Sequence, residues 1–424
     1  MVDRRAAASG WSTTMMSRSA GISCGARWLA KESCFLPSVM DRSAGRRRRS
    51  RRLSKPVPSP RRAMGRSDRT TGRVFGRVGR GAAVAVGLAL VPVSTFAAVL
   101  LTPRPTVALI RFAFTKGAAR TRAAMQAGID GPLFADPETG RRQAVPTVTD
   151  HLDVAYGPDR DERLDVFEPA TTGPSTGRPV LVWVHGGGWV SGDKSDVAPY
   201  LRALAAVTGA VCVGVNYSVP PRRSYPTAIR QLTDALAFLR READRWELDA
   251  TRVVLAGDSA GAQLAGQLTE VVTTPGLADD IGVPVPLPAE HLRAIVLCCG
   301  LFVLPHGMPA PAVVRFAGDQ VSRAYLAGPV RPDDPRIEQL DVAARATDAF
   351  PPTFVTAGNA DPLLPSSRAL VDRLHELGVP VQTRFFPDDH TPRLPHEYQF
   401  HLDLADARTC FADIAAFVGR HTAD

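Results

Sequence analysis

Cysteine is scarce. The 424 residues hold six, Cys24, Cys34, Cys212, Cys298, Cys299 and Cys410, with no Cys-x-x-Cys pair. This argues against a disulfide scaffold, and no cluster has zinc-like spacing, so no metal is implied. Cys298 and Cys299 are neighbours in an apolar run, which predicts side chains on opposite faces of a strand, packed as small hydrophobes. Acidic residues are nearly missing from the first 80 positions, with 4 Asp+Glu against 20 Lys+Arg, while the remaining 344 carry 38 against 31. The net charge of +9 therefore belongs to the N-terminal part. The slightly acidic body gives no support to nucleic-acid binding by the main domain. Hydrophobic residues make up an ordinary 45%, which excludes a wholly disordered or polytopic membrane chain.

Long apolar runs are also few. One stands out: residues 81–101 carry no charge. Twenty-one helical residues span about 30 Å, the thickness of a bilayer's hydrocarbon core. The arginine excess lies upstream, so the run predicts a single-pass anchor with the N-terminus in the cytoplasm and the body outside. Its rivals are a secretory signal cleaved near Thr95-Phe96-Ala97, giving a secreted protein, and a buried soluble helix. Residues 1–80, with Arg46-Arg47-Arg48-Arg49 and much Ser, Gly and Pro, read as a disordered tail that either touches anionic lipid or nucleic acid or is simply solvated. Met64 is an alternative start. Residues 104–150 read as a linker: a short helix at a membrane surface, or part of a cap.

Beyond residue 150 the pattern is regular. Strand-length apolar runs fall at 151–156, 163–167, 180–184, 211–215, 253–256, 294–298, 353–357 and 381–386. Helical patterns near 197–207, 227–245, 260–272, 366–377 and 405–417 lie between the later strands. The short polar turn Gly157-Pro158-Asp159-Arg160 predicts an opening hairpin. The later alternation predicts an α/β fold, a mostly parallel eight-stranded sheet flanked by helices over 151–424. In such a sheet, function sits at the carboxyl ends of strands.

The segments at those strand ends carry the chemistry. After 252–256 comes Gly257-Asp258-Ser259-Ala260-Gly261, a G-x-S-x-G in a strand–turn–helix context, which makes Ser259 a candidate nucleophile with the helix N-terminus beneath it. After 180–184 comes His185-Gly186-Gly187-Gly188-Trp189. Its glycines free backbone N–H groups to face a developing oxyanion, and we assign that role to Gly187, Gly188 and Ala260. A phosphate loop would need a Lys-Ser/Thr or a G-x-G-x-x-G, which this loop lacks. His185 reads as structural. After 353–357, Asp361 in Gly358-Asn359-Ala360-Asp361-Pro362-Leu363 is a candidate to orient a histidine. After 381–386, His390 and His396 compete as the base, and spacing does not choose between them. Either completes the chain order Ser, Asp, His.

In HGGGW (185–189), GDSAG (257–261), Asp361-Pro362-Leu363 and the Tyr156–Pro169 stretch, the chain resembles the α/β-hydrolase fold and, within it, the hormone-sensitive-lipase-like carboxylesterases and lipases, over roughly residues 150–420. The resemblance implies a serine ester hydrolase acting on a small-molecule ester or lipid, with no cofactor. It favours His396, followed by Glu397-Tyr398, over His390 as the base. It also implies a cap insertion near 301–346, where Leu301, Phe302, Val303 and Leu304 either line an acyl site or are core. A deacetylase, amidase or peptidase, or a non-catalytic scaffold on the same fold, are the alternatives. Where the family shows Y-R-L-A-P-E, this chain reads Tyr217-Ser218-Val219-Pro220-Pro221-Arg222, so contacts from that loop are not carried over.

Overall fold

The computed structural model describes residues 102–136, 138–170, 177–303, 312–331 and 333–423. The chain divides into two units, 1–66 and 67–424, and every described residue belongs to the second. The expected tail (1–80), the apolar run (81–101), Cys24, Cys34 and Leu304 lie outside the described residues. Among the described residues, no helix is long and apolar enough to cross a membrane.

Eight strands form one sheet: β1 (Val148–Ala155), β2 (Arg163–Pro169), β3 (Arg178–Val184), β4 (Val211–Val215), β5 (Leu248–Asp258), β6 (Leu292–Cys298), β7 (Thr353–Thr356) and β8 (Val381–Arg384). Their spatial order is β1-β2-β4-β3-β5-β6-β7-β8. The hairpin β1–β2 and the β2–β4 pair are antiparallel, and every other pairing is parallel. The period of two explains why β3 and β5 read as continuous apolar runs. Val180, Val182 and Val184 feed the core on one side of the sheet, and Leu181 and Trp183 feed the core on the other.

Ten helices accompany the sheet among the described residues: α1 (Arg104–Asp130), α2 (Ala198–Thr208), α3 (Thr227–Arg241), α4 (Ala260–Thr273), α5 (Leu277–Ile281), α6 (Ala312–Tyr325), α7 (Pro335–Leu340), α8 (Val342–Arg345), α9 (Leu364–Glu376) and α10 (Ala405–Thr422). Every residue of α4 is buried. Its small residues (Ala260, Gly261, Ala262, Ala265, Gly266) let it lie close to the sheet, and its polar row Gln263, Gln267 and Glu270 is buried too, with Gln263 and Gln267 donating to Leu340 O and Gln339 O.

Three expectations change. The short helix expected after residue 104 is 27 residues long. It is anchored at both ends: Arg111 Nε donates to Val190 O (2.5 Å), Arg122 pairs with Asp196, and Gly128 lies against Leu402. Cys298 and Cys299 do not alternate. The strand ends at Cys298, Cys299 turns to φ +46°, and both side chains enter the same core. Phe302 is fully buried in the core on the other side of the sheet, with Leu301 and Val303 packed against it. None of the three lines the cavity beside Ser259.

The register levels the carboxyl ends. Val184 of β3 stands beside Gly257 of β5, Asp258 beside Cys298 of β6, Cys298 beside Thr356 of β7, and Thr356 beside Arg384 of β8. The loops bearing residues 185–189, 259, 361 and 396 therefore leave the sheet along one edge.

Candidate active site

Ser259 sits between β5 and α4 at φ +54°, ψ −122°, a strained conformation for a residue with a side chain. The turn is held by close packing. A Cβ on Gly261 would lie 2.1 Å from Val184 O, and one on Gly257 would lie 2.5 Å from Gly261 O. Only glycine fits at either position, which explains the spacing G-x-S-x-G. Ser259 N donates to Cys298 O (2.8 Å), so its own N–H is not free for substrate.

Ser259 Oγ lies 2.9 Å from His396 Nε2, and His396 Nδ1 lies 3.0 Å from both oxygens of Asp361. An ionised carboxylate only accepts, so Nδ1–H donates to Asp361 and Nε2 is left to accept from the Ser259 hydroxyl. Asp361 is fixed in turn by Leu363 N, which donates to Oδ1 (2.8 Å), and its side chain is fully buried. Asn359 pins the loop that carries the histidine. Its Nδ2 donates to His390 O (3.0 Å), and its Oδ1 accepts from Leu394 N (2.8 Å).

His390 is not part of this group. Its Nε2 lies 3.1 Å from Asp406 Oδ2, and its ring packs on Phe386. His185 is buried, stacks on Tyr217 at 4.5 Å between ring centroids, and has Nδ1 2.8 Å from Gly186 O. The Tyr217 hydroxyl donates to His185 O (2.9 Å), so this first residue of the divergent stretch braces the glycine loop.

Gly187 adopts φ +114° and Gly188 φ +60°, both left-handed, and the loop is closed by Val190 N and Ser191 N donating to Gly187 O. Among the described residues, the N–H groups of Gly187, Gly188 and Ala260 donate to no protein acceptor. These are the three N–H groups to which the sequence reading gives the oxyanion role.

Residues that sequence reasoning missed complete the site. Asp258 is buried and accepts from Trp183 Nε1 (2.7 Å) and Gly186 N (2.9 Å), tying the serine turn to the glycine loop. Burial first, and then the Glu397 charge, push its carboxyl well above the usual range. Glu397, at φ +59°, has Oε1 3.9 Å from His396 Nε2. The signal available for it was only its position next to His396. The side chains enclose a cavity of about 440 Å³, with Phe114 of α1 on its wall opposite the glycine loop. Cys299, Asp361 and His396 bring potential metal-ligand atoms within 4.8 Å of one another, but the carboxylate and imidazole engage each other directly.

Burial disfavours the imidazolium of His396, yet Cys299 and the Asp361 carboxylate outweigh it and hold the ring well above the ordinary imidazole range. Burial pushes the Cys299 thiol itself up to about 11, so at neutral pH it is uncharged and Asp361 supplies the raise. A base must be neutral to accept a proton, so if His396 is the base, activity is expected to rise with pH as it deprotonates. Asp361→Asn is expected to move that acid limb to lower pH and to cut kcat by about 10⁴-fold. A pH–rate profile in which the limb stays in place sinks this role for Asp361.

A family model described as the alpha/beta hydrolase fold matches residues 181–392, half of the chain. Among curated proteins, the chain is similar to an acetyl esterase of Salmonella paratyphi B, 28% identical over 257 residues that cover 57% of this chain and 72% of the relative. It is also similar to an acetyl esterase of Salmonella choleraesuis, 28% identical over 258 residues that cover 59% and 71%. Among solved structures, Esterase B from Lactobacillus rhamnosis aligns with a TM-score of 0.61 at 20% identity, covering 76% of this chain and 96% of that one. A hyperthermophilic esterase from Pyrobaculum calidifontis aligns with a TM-score of 0.56 at 21% identity, covering 78% and 97%. At those identities the solved structures speak for the fold alone. The glycine-bounded serine turn, the glycine loop and the level carboxyl edge agree with the family match: the chain belongs to the alpha/beta hydrolase fold family, on its hormone-sensitive-lipase-like carboxylesterase side.

Proposed function

We propose that this ester hydrolase works through a covalent acyl-enzyme on Ser259. The observation that carries the reading is the unbroken chain Ser259 Oγ–His396–Asp361, with contacts of 2.9 and 3.0 Å, beside three free backbone donors. Ser259 Oγ bonds to the ester carbonyl carbon as His396 Nε2 takes its proton. The carbonyl oxygen becomes an oxyanion held by the N–H groups of Gly187, Gly188 and Ala260. The bond to the alcohol oxygen then breaks, and the alcohol leaves with the proton from His396. Water attacks the acyl carbon, His396 takes the water's proton and returns it to Ser259, and the carboxylic acid departs.

The relatives named acetyl esterase make acetyl esters the first substrates to try. α1 and α6 supply a cap: Phe114 and Val321 are the side-chain atoms nearest to where a Cβ of Gly188 would stand, which suits an apolar acyl group. The uncharged run 81–101 ends where α1 begins, so a single-pass anchor would hold the cap at a membrane surface with the body outside the cytoplasm. A fluorophosphonate probe tests the mechanism. Mass spectrometry is expected to find the adduct on the peptide containing Ser259. An active preparation left unlabelled there overturns the assignment, and an inactive, unlabelled protein favours a scaffold.

A further inference from the structure

The carboxylate of Glu397 is unused by the acyl-transfer chemistry. It accepts no hydrogen bond among the described residues, its side chain is 30% exposed, and it lines the same cavity as Ser259 and His396. Its place is specific. His396 Nε2 delivers the proton to the leaving alcohol, and Glu397 Oε1 stands 3.9 Å from that nitrogen. A group two or three atoms beyond the alcohol oxygen therefore comes within reach of this carboxylate.

The other acids of the cavity are already engaged. Asp196 pairs with Arg122, and Asp193 accepts from Ser195 N and Asn216 Nδ2. Burial works against the Asp193 charge, but Ser195 and Asn216 outweigh it and bring its carboxyl down to about 2, so it stays ionised. Asp258 is fully enclosed and both its oxygens accept from protein N–H groups, which leaves Glu397, among the described residues, as the carboxyl group beside His396 with no protein donor. Four carboxyl groups on the lining, Asp193, Asp196, Asp258 and Glu397, outnumber its one arginine, Arg122, and the imidazoles of His185 and His396.

Resting on the serine esterase reading, we propose that Glu397 selects esters whose leaving alcohol carries a positive charge, as in an amino alcohol. The test compares acetylcholine with 3,3-dimethylbutyl acetate, in which a carbon replaces the charged nitrogen at the same size. On the full chain, kcat/KM is expected to favour the cationic ester by about tenfold or more at low salt. The ratio is expected to shrink as ionic strength rises, to fall to about one in Glu397→Gln, and to be retained in part in Glu397→Asp. Equal turnover of the two esters by an enzyme active on p-nitrophenyl acetate overturns this inference alone, as does an unchanged ratio in Glu397→Gln. Should that variant not fold, a wild-type ratio insensitive to salt overturns it instead. Failure on p-nitrophenyl acetate as well overturns the reading beneath it.

Discussion

Replacing Ser259 by Ala is expected to lower kcat toward p-nitrophenyl acetate on the order of 10⁵-fold or more. Among the described residues, no other hydroxyl is hydrogen-bonded to His396 Nε2, from which Ser259 Oγ lies 2.9 Å. The loss is chemical rather than structural. Ala keeps the Cβ that already occupies φ +54°, and the turn is held by Ser259 N on Cys298 O and by the flanking glycines, none of which the substitution touches. Stability is therefore expected to stay within about 1 kcal/mol. A Ser259→Ala protein with wild-type Tm and wild-type kcat would leave the acyl-enzyme without a nucleophile, and one that does not fold would show that the hydroxyl also has a structural role.

Gly261→Ala carries the largest expected structural effect. The new Cβ would stand 2.1 Å from Val184 O and 2.5 Å from His185 O. Both are backbone atoms at the end of β3, and β3 is paired on both sides, so neither yields without moving the glycine loop it leads into. The expected cost is about 3 kcal/mol or more, read as a Tm lower by roughly 6 °C or more. Activity falls with it, since the same shift displaces the N–H groups of Gly187 and Gly188. Gly419 in α10 is the matched control. A Cβ there meets nothing within 4 Å, and Gly419→Ala is expected to raise stability by roughly 0.5–1 kcal/mol through helix propensity. Calorimetry on the pair separates close packing from a general intolerance of glycine replacement. Equal Tm values would refute the packing argument.

Much of this protein was legible in one dimension because its signals are local. A buried parallel strand is recognised by a run of apolar residues. β4 was bounded to the residue, whereas β5 begins five residues before the run read at 253–256. The serine turn was legible because two glycines four residues apart are required wherever a helix crosses so close to the strand before it. The features that escaped are made by distant segments. Whether His390 or His396 meets the serine depends on how one loop folds over another, and Asn359 fixes that loop from 31 and 35 residues away. Glu397 had no pattern to announce it, since its meaning comes from a left-handed turn that sets it beside His396 and Asp258. The helix Arg104–Asp130 looked like a linker because it buries only Val107, Met125 and Gly128, too few positions to make a periodic apolar stripe.

The sequence alone determined the sheet class and singled out the candidate nucleophile and carboxylate, because strand periodicity and turn sterics act over a few residues. Only the tertiary structure decided which imidazole completes the chain, what lines the cavity and where its negative charge lies. Those depend on contacts between segments tens to hundreds of residues apart, and the distance between such segments is written in no local pattern.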